Sequence, residues 1–183
     1  DMPYSKTTGH TPDSYASTIQ ALGQDALLNR LAHCFYEVVD PKYQTFCSLT
    51  SQIIKTTLDH FGVPCTRVPC QLWYTQPNHV YVIGFLGKSE PGKWHGHVVC
   101  RAGKMVIDAA THHFQKEFGF QVPSLIMTPA LCIPSVTFAH ITTNSVDSIS
   151  WQAPPPGVDA TPPDEPAELV NEYVQKLVAR LAY

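Results

Sequence analysis

Three side chains of the kinds used in thiol chemistry follow one another along the chain: Cys47, His97 and Asp108. A cysteine nucleophile needs a positioned base, and the base needs a group that orients it. Cys47 stands near the start of FCSLTSQIIKTTLDHFG (46–62), whose apolar residues recur at helical spacing. Unpaired N–H groups and the positive end of the helix dipole would lie beside its sulfur, and both favour a thiolate over a thiol. We therefore predict that Cys47 begins a helix and is the nucleophile.

The segment WHGHVVCRAGKMVIDAA (94–110) predicts an antiparallel hairpin with His97 on one strand and Asp108 on the next. With the turn near residues 101–103, paired residues have numbers that sum to about 204 or 205. Because 97 and 108 sum to 205, we expect the two side chains to be cross-strand neighbours, and a slip of one residue would separate them. A carboxylate in that position would fix the tautomer of the imidazole and stabilise its charged form. The hairpin thus supplies a base and its orienting group.

The elements that must hold these residues suggest an α+β fold, because helical segments come first and an antiparallel sheet follows. Residues 13–39 are helical in pattern, with a division at Gly23, and residues 65–75 and 79–87 are rich in β-branched and aromatic side chains. With the hairpin, we expect a sheet of at least four strands. The pattern of 111–150 is less regular. We expect THHFQKEFGF (111–120) to be a short helix or turn, the proline-containing 122–136 to be a loop on the core, and TFAHITTN to be an edge strand.

The domain organisation that we expect is a single α+β domain over residues 1–151, then a proline-rich connector over 152–167. An amphipathic helix over 168–183 follows, and it docks either on the domain or on a partner. The oligomeric state is open, and a dimer formed through this helix is one option.

Composition narrows the function classes. The chain has 183 residues, of which 44% are hydrophobic and 15% charged, as expected for one globular domain. The net charge of −3 does not indicate a basic surface for nucleic acid. No apolar run predicts a membrane span or a secretory signal. Six cysteines without a CxxC pair favour a reducing, cytoplasmic compartment and argue against a structural zinc site. We expect Cys34 and Cys132 to be buried thiols.

Three stretches resemble the transglutaminase-like superfamily, which has a papain-like fold and includes the arylamine N-acetyltransferases. They are FCSLTSQIIKTTLDHFGVPCTRV, HGHVVC and GKMVIDAA, within about residues 44–112. The resemblance implies a Cys-bearing central helix packed on an antiparallel sheet. It also implies that Cys47 is the nucleophile, His97 the general base and acid, and Asp108 the orienting carboxylate. The chemistry is then amide hydrolysis or acyl transfer on an amide or thioester, peptides included, without a cofactor or metal.

An oxyanion donor is also required for such chemistry. The backbone N–H of Cys47 is one candidate, and Gln44 is a second by analogy with the papain-like arrangement. Tyr43 is a third, and Trp94 is a candidate for the wall of a substrate cleft.

Two other hypotheses remain open. His95 and His97 form an HxH sequence, and Asp108, His112 or His113 could complete a 2-His-1-carboxylate metal set. Otherwise we expect His112 and His113 to be surface residues. The last hypothesis is a binding module that keeps the fold and lacks the activity.

Overall fold

The computed structural model describes residues 23–87, 94–133, 135–143 and 146–182, and it confirms the predicted α+β class. The helices and strands are α1 (Gln24–Val38), α2 (Cys47–His60), β1 (Cys65–Gln76), β2 (His79–Ile83), β3 (His97–Ala102), β4 (Met105–Asp108), α3 (His113–Phe118), β5 (Ile126–Pro129), β6 (Thr137–Thr142), β7 (Ser148–Gln152) and α4 (Ala167–Leu181). A short 3-10 helix, Pro41–Tyr43, joins α1 to α2. The arm at 1–12, the helical pattern at 13–22 and the turn cluster at 88–93 lie outside the described residues. Within the described ranges, no helix combines the length and the apolar composition that a bilayer crossing requires.

The strands form one antiparallel sheet in the order β5-β4-β3-β1-β7-β6, with β2 paired to β1. β1 is its centre: residues 65–70 pair with β3, and residues 71–76 pair with β2 or β7. The end strands β5 and β6 approach each other, so the sheet is nearly closed like a barrel. At one end of this seam, the N–H of Leu131 donates to the carbonyl of Phe138 at 2.8 Å.

Each face of the sheet has its own apolar core. The helices α1, α2 and α4 cover the outer face, where their apolar stripes meet Cys65, Cys100 and Ile107 of the strands. The inner face encloses a second core that includes Trp151 and Val99. The C-terminal helix α4 therefore packs on α1 and α2 of the same chain, through the apolar stripe that the sequence pattern predicted.

The β3–β4 hairpin differs from the predicted register by two positions. Its pairs, such as Cys100 with Ile107, have numbers that sum to 207, and the turn is the two-residue loop Gly103–Lys104. Gly103 has a φ of 58°, which suits the glycine preference of the first loop position in a type II′ turn. A shift of two residues keeps every side chain on its face, so Asp108 lies opposite Val99 and diagonal to His97.

The sequence pattern missed two strands of the sheet. The stretch 122–136, predicted as a loop because of its prolines, contains β5, which pairs with β4 along its whole length. Pro129 is accommodated because it ends an outer strand, where a missing N–H costs least. β7 was not predicted, because its five residues run directly into the proline-rich connector. The edge strand predicted at TFAHITTN is confirmed as β6.

Candidate active site

The hydrogen-bonded centre of the site is the pair His97 and Asp108, whose side chains are both 0% exposed. His97 Nε2 lies 2.7 Å from Asp108 Oδ2. The same carboxylate accepts the indole N–H of Trp151 at Oδ2 (2.9 Å) and the backbone N–H of Ala110 at Oδ1 (2.8 Å). A buried carboxylate with three donors is held in one orientation, and it holds the imidazole in turn.

Cys47 is the first residue of α2, as predicted, and it is only 8% exposed. Phe46 caps the helix without a side-chain hydrogen bond, so the first-turn N–H groups have no capping acceptor. The sulfur lies 3.9 Å from the carbonyl oxygen of Gly96, and its apolar neighbours are Val98 and Ala110. The helix start therefore brings the thiol to the beginning of β3, where His97 is the first strand residue.

Sulfur and imidazole come together at this point. A ring nitrogen of His97 and the Sγ of Cys47 belong to a cluster whose atoms lie within 4.8 Å of one another. Because Nε2 faces Asp108, Nδ1 is the nitrogen left for the sulfur, and no geometric hydrogen bond occupies it among the described residues. A thiol, an imidazole and a carboxylate thus follow one another in the order that nucleophile, base and orienting group require.

Two opposing effects, burial and the neighbouring charges, determine the pKa values of His97 and Asp108. Burial disfavours the charged imidazole, but the carboxylate of Asp108 and the nearby Cys47 sulfur outweigh it and raise the pKa of His97 to about 10. Burial also opposes ionisation of Asp108, but the charge and hydrogen bond of His97 and the Trp151 and Ala110 N–H groups hold the pKa of its carboxyl below the usual value. At neutral pH the imidazolium and the carboxylate are therefore the stable forms.

His113 is the functional neighbour that the sequence interpretation placed wrongly. It was expected on the surface, but it begins α3 half-buried, and its ring centroid lies 5.8 Å from that of His97. One of its ring nitrogens belongs to the cluster with Cys47 and His97. Burial and the positive charge on His97 lower the pKa of His113 to about 4, so this imidazole is neutral at pH 7. The available signal was its position five residues after Asp108, where the chain turns back beside the strand.

A cavity of about 330 Å³ lies beside the start of β3 and is lined by Trp94, His95, Gly96, His113 and Glu117, among others. Trp94 packs against the small apolar cluster of Cys47, Val98 and Ala110, and it makes an edge contact with Phe85 at 5.7 Å between ring centroids. Its indole N–H is buried and has no hydrogen-bond partner among the described residues. A side chain added at Gly96 would come within 2.5 Å of both rings, so glycine is required for this close packing.

Tyr43 and Gln44 lie in the segment that leads into α2. The ring of Tyr43 packs between Phe46 and Tyr173 of α4, at centroid distances of 5.4 and 5.9 Å. Gln44 caps the 3-10 helix through its backbone N–H, which donates to the carbonyl of Pro41. Tyr43 therefore has a packing role between α2 and α4, and Gln44 is partly exposed beside the helix start.

Two other expectations differ from the structure. His95 precedes β3 and is exposed, and it does not join the cluster that Cys47, His97 and His113 form among the described residues. Of the two HxH histidines, only His97 belongs to that cluster. Cys132, expected to be buried like Cys34, is exposed, because its loop between β5 and β6 passes over the surface.

No family model, no curated protein and no solved structure gives a significant match to the chain. The chemistry of the site must therefore be inferred from its own geometry.

Proposed function

We propose that the protein is a thiol-dependent enzyme that hydrolyses amides or thioesters or transfers their acyl groups, with Cys47, His97 and Asp108 as the catalytic residues. We propose further that its helix-on-sheet arrangement is papain-like, of the transglutaminase-like superfamily. The observation that carries the proposal is the convergence of a helix-start thiol on an imidazole whose far nitrogen is held by a buried carboxylate.

The state of charge supports the same chemistry. A raised pKa of His97 means that the imidazole keeps its second proton at neutral pH, opposite the sulfur. That proton is the one a departing amine or thiol must receive. The positive end of α2 and the first-turn N–H groups would support the negative sulfur before attack.

Acylation then proceeds by attack of the Cys47 thiolate on the carbonyl carbon of the substrate. The C–N or C–S bond breaks, the leaving group takes the proton from His97 Nδ1, and a thioester to Cys47 remains. In this proposal the backbone N–H of Cys47 donates to the oxyanion, and Gln44 from the preceding turn is the candidate second donor. The indole N–H of Trp94, which has no hydrogen-bond partner within the described part of the chain, is a candidate contact for the substrate in the cavity.

Release of the acyl group reverses these proton movements. Water or a primary amine attacks the thioester while neutral His97 takes its proton, and the thiolate of Cys47 leaves. Hydrolysis and transfer share this site and differ in the acceptor. A substrate with an extended peptide chain suits an open, partly apolar cavity beside an otherwise buried sulfur.

The test compares Cys47 with the exposed Cys132 in one protein. Treatment with iodoacetamide near neutral pH, followed by peptide mass spectrometry, gives the alkylation rate of each thiol. Cys47 should react roughly tenfold faster than Cys132 although it is far less exposed, and a peptide thioester should leave its acyl mass on Cys47.

The His97→Ala variant should bring the Cys47 rate down to that of Cys132 or below, and Cys47→Ala should abolish acyl transfer. Replacement of the exposed His140 of β6 by Ala is the matched control and should leave both rates unchanged. If Cys47 is no faster than Cys132 in the folded wild-type protein, the thiol mechanism is wrong and a binding module is favoured.

A further inference from the structure

The three ligand-type atoms of Cys47, His97 and His113 form a group whose geometry has a second use. They lie within 4.8 Å of one another, and they come from the start of α2, the start of β3 and the start of α3. Three rigid elements therefore fix a thiol and two imidazoles around one point. The proposed thiol chemistry uses Cys47 and His97, but it gives no task to His113.

Each of the two imidazoles has a ring nitrogen that could bind a metal ion. Nδ1 of the fully buried His97 and Nδ1 of His113 are buried and have no hydrogen-bond partner among the described residues, although the Glu117 carboxylate lies 4.0 Å from Nδ1 of His113. Burial of a polar atom without a partner costs free energy, so binding of a ligand or metal ion to these nitrogens would be favourable.

The surroundings match those of a bound transition metal. The second nitrogen of His97 faces a buried carboxylate, which is the arrangement that orients and strengthens histidine ligands in metal sites. One thiolate and two imidazoles suit Zn²⁺, which accepts three protein ligands and leaves a fourth position open. The cavity lined by Trp94, Gly96 and His113 supplies space for that fourth position.

We propose that Cys47, His97 and His113 bind a single Zn²⁺ ion, and that this ion reversibly blocks the thiol. The site needs only a modest contraction, because zinc ligands at about 2.0–2.3 Å from the metal lie roughly 3.5 Å from one another. Binding of the ion needs an unprotonated sulfur and an unprotonated Nδ1, so it releases to solvent the protons that these atoms carry. No electron is transferred, so removal of the metal restores the free thiol.

The inference rests on the same sulfur as the proposed function, but its test is separate. Apo protein is titrated with Zn²⁺ in competition with a chromophoric chelator, and the alkylation of Cys47 is followed in the same samples. We expect one ion per chain, loss of Cys47 alkylation with bound metal and recovery after EDTA. Co²⁺ used in place of Zn²⁺ should give a thiolate charge-transfer band that is absent from Cys47→Ser.

His113 decides whether the site exists as described. His113→Ala should weaken Zn²⁺ binding at least tenfold, whereas His112→Ala, which changes the adjacent histidine, should bind like the wild type. If His113→Ala does not fold, His113→Gln provides the same comparison. Unchanged Zn²⁺ affinity in the folded His113 variant, or absence of protection at Cys47 in the wild type, would overturn the inference.

The two proposals fail in different ways. A fast-reacting Cys47 that zinc does not protect leaves the thiol chemistry intact and refutes the metal site. A tightly bound ion on a Cys47 that is no more reactive than Cys132 leaves the metal site and refutes the thiol chemistry.

Discussion

The carboxylate of Asp108 accepts hydrogen bonds from three donors, and one of these donors, the indole of Trp151, comes from β7. Trp151 of β7 donates its indole N–H to the same oxygen that faces His97 Nε2. A charged acceptor makes this a strong hydrogen bond, and the surrounding burial increases its strength. Trp151 is therefore a positioning residue, which acts on His97 through the carboxylate.

The variant Trp151→Phe keeps an aromatic ring and removes the N–H donor. We expect it to lower the free energy of unfolding by roughly 2–4 kcal/mol, since a buried charged acceptor loses its partner and a small void forms. Urea denaturation followed by circular dichroism gives the value. The alkylation rate of Cys47 in the folded variant should fall as well, because His97 is less firmly oriented.

Trp73→Phe is the matched control for this change. The indole of Trp73 donates to the neutral amide oxygen of Gln71 at 3.2 Å and is partly exposed, so its loss should cost about 1 kcal/mol or less. If Trp151→Phe and Trp73→Phe lower the free energy of unfolding equally, the hydrogen bond to Asp108 contributes no more to stability than the one to Gln71.

The sequence predicted the elements that carry Cys47, His97 and Asp108 where the local periodicity is strong. Cys47 begins its helix because the apolar stripe of residues 49–61 starts there, and strand alternation places His97 and Asp108 on one face. The exact register was wrong by two residues, but a two-residue shift preserves the face. The position of His113 beside Cys47 and the bond from Trp151 to Asp108 were not predicted, because both depend on how α3 and β7 return to the sheet, which no local pattern encodes.

At the scale of elements, Arg67 joins three parts of the fold near the nucleophile. From β1 its guanidinium donates to Ser51 Oγ (3.0 Å) and to the carbonyl and hydroxyl oxygens of Ser48 (both 2.9 Å), in the first turns of α2. It also reaches the carbonyl of Pro163 in the connector at 3.4 Å, and Ser48 Oγ donates to that carbonyl at 3.1 Å. The start of α2 is thus fixed to the sheet and to the connector by one planar group.

Arg67→Lys should lower the free energy of unfolding by roughly 1–3 kcal/mol, although the charge is kept. The ammonium group of lysine cannot donate to all the oxygen acceptors that the planar guanidinium of Arg67 reaches at once. Thermal unfolding measures the effect. Arg101→Lys in β3 is the control, because the exposed Arg101 makes one long bond of 3.3 Å and its replacement should change stability by less than about 0.5 kcal/mol. An unchanged unfolding temperature for Arg67→Lys would refute the joining role.

At the scale of the whole molecule, the sheet was harder to predict than the helices. Helix stripes are visible within a dozen residues, whereas β5 and β7 are four and five residues long and owe their pairing to distant partners. Pairing of β7 with the second half of β1 is what carries Trp151 to Asp108. The nearly closed sheet and the completed site therefore arise together from non-local contacts.

The buried charges should make the stability of the whole protein depend on pH in a defined window. The pKa of His97 rises from 6.5 to about 10 on folding, so its stabilisation is complete below about pH 6.5 and is lost as the pH rises through 10. Between pH 6.5 and 8, we expect the free energy of unfolding to fall by roughly 1–2 kcal/mol. Urea titrations at four or five pH values measure this slope.

Asp108→Asn identifies the origin of that slope, because it removes the main charge that raises the pKa of His97. The variant should be less stable than the wild type at pH 6.5, and its free energy of unfolding should change little between pH 6.5 and 8. Asp147→Asn is the matched control: Asp147 accepts a 2.8 Å hydrogen bond from the Tyr74 hydroxyl, so the variant should keep the wild-type slope even if it is less stable. A wild-type slope in Asp108→Asn would show that the His97–Asp108 pair does not stabilise the folded state through its charge.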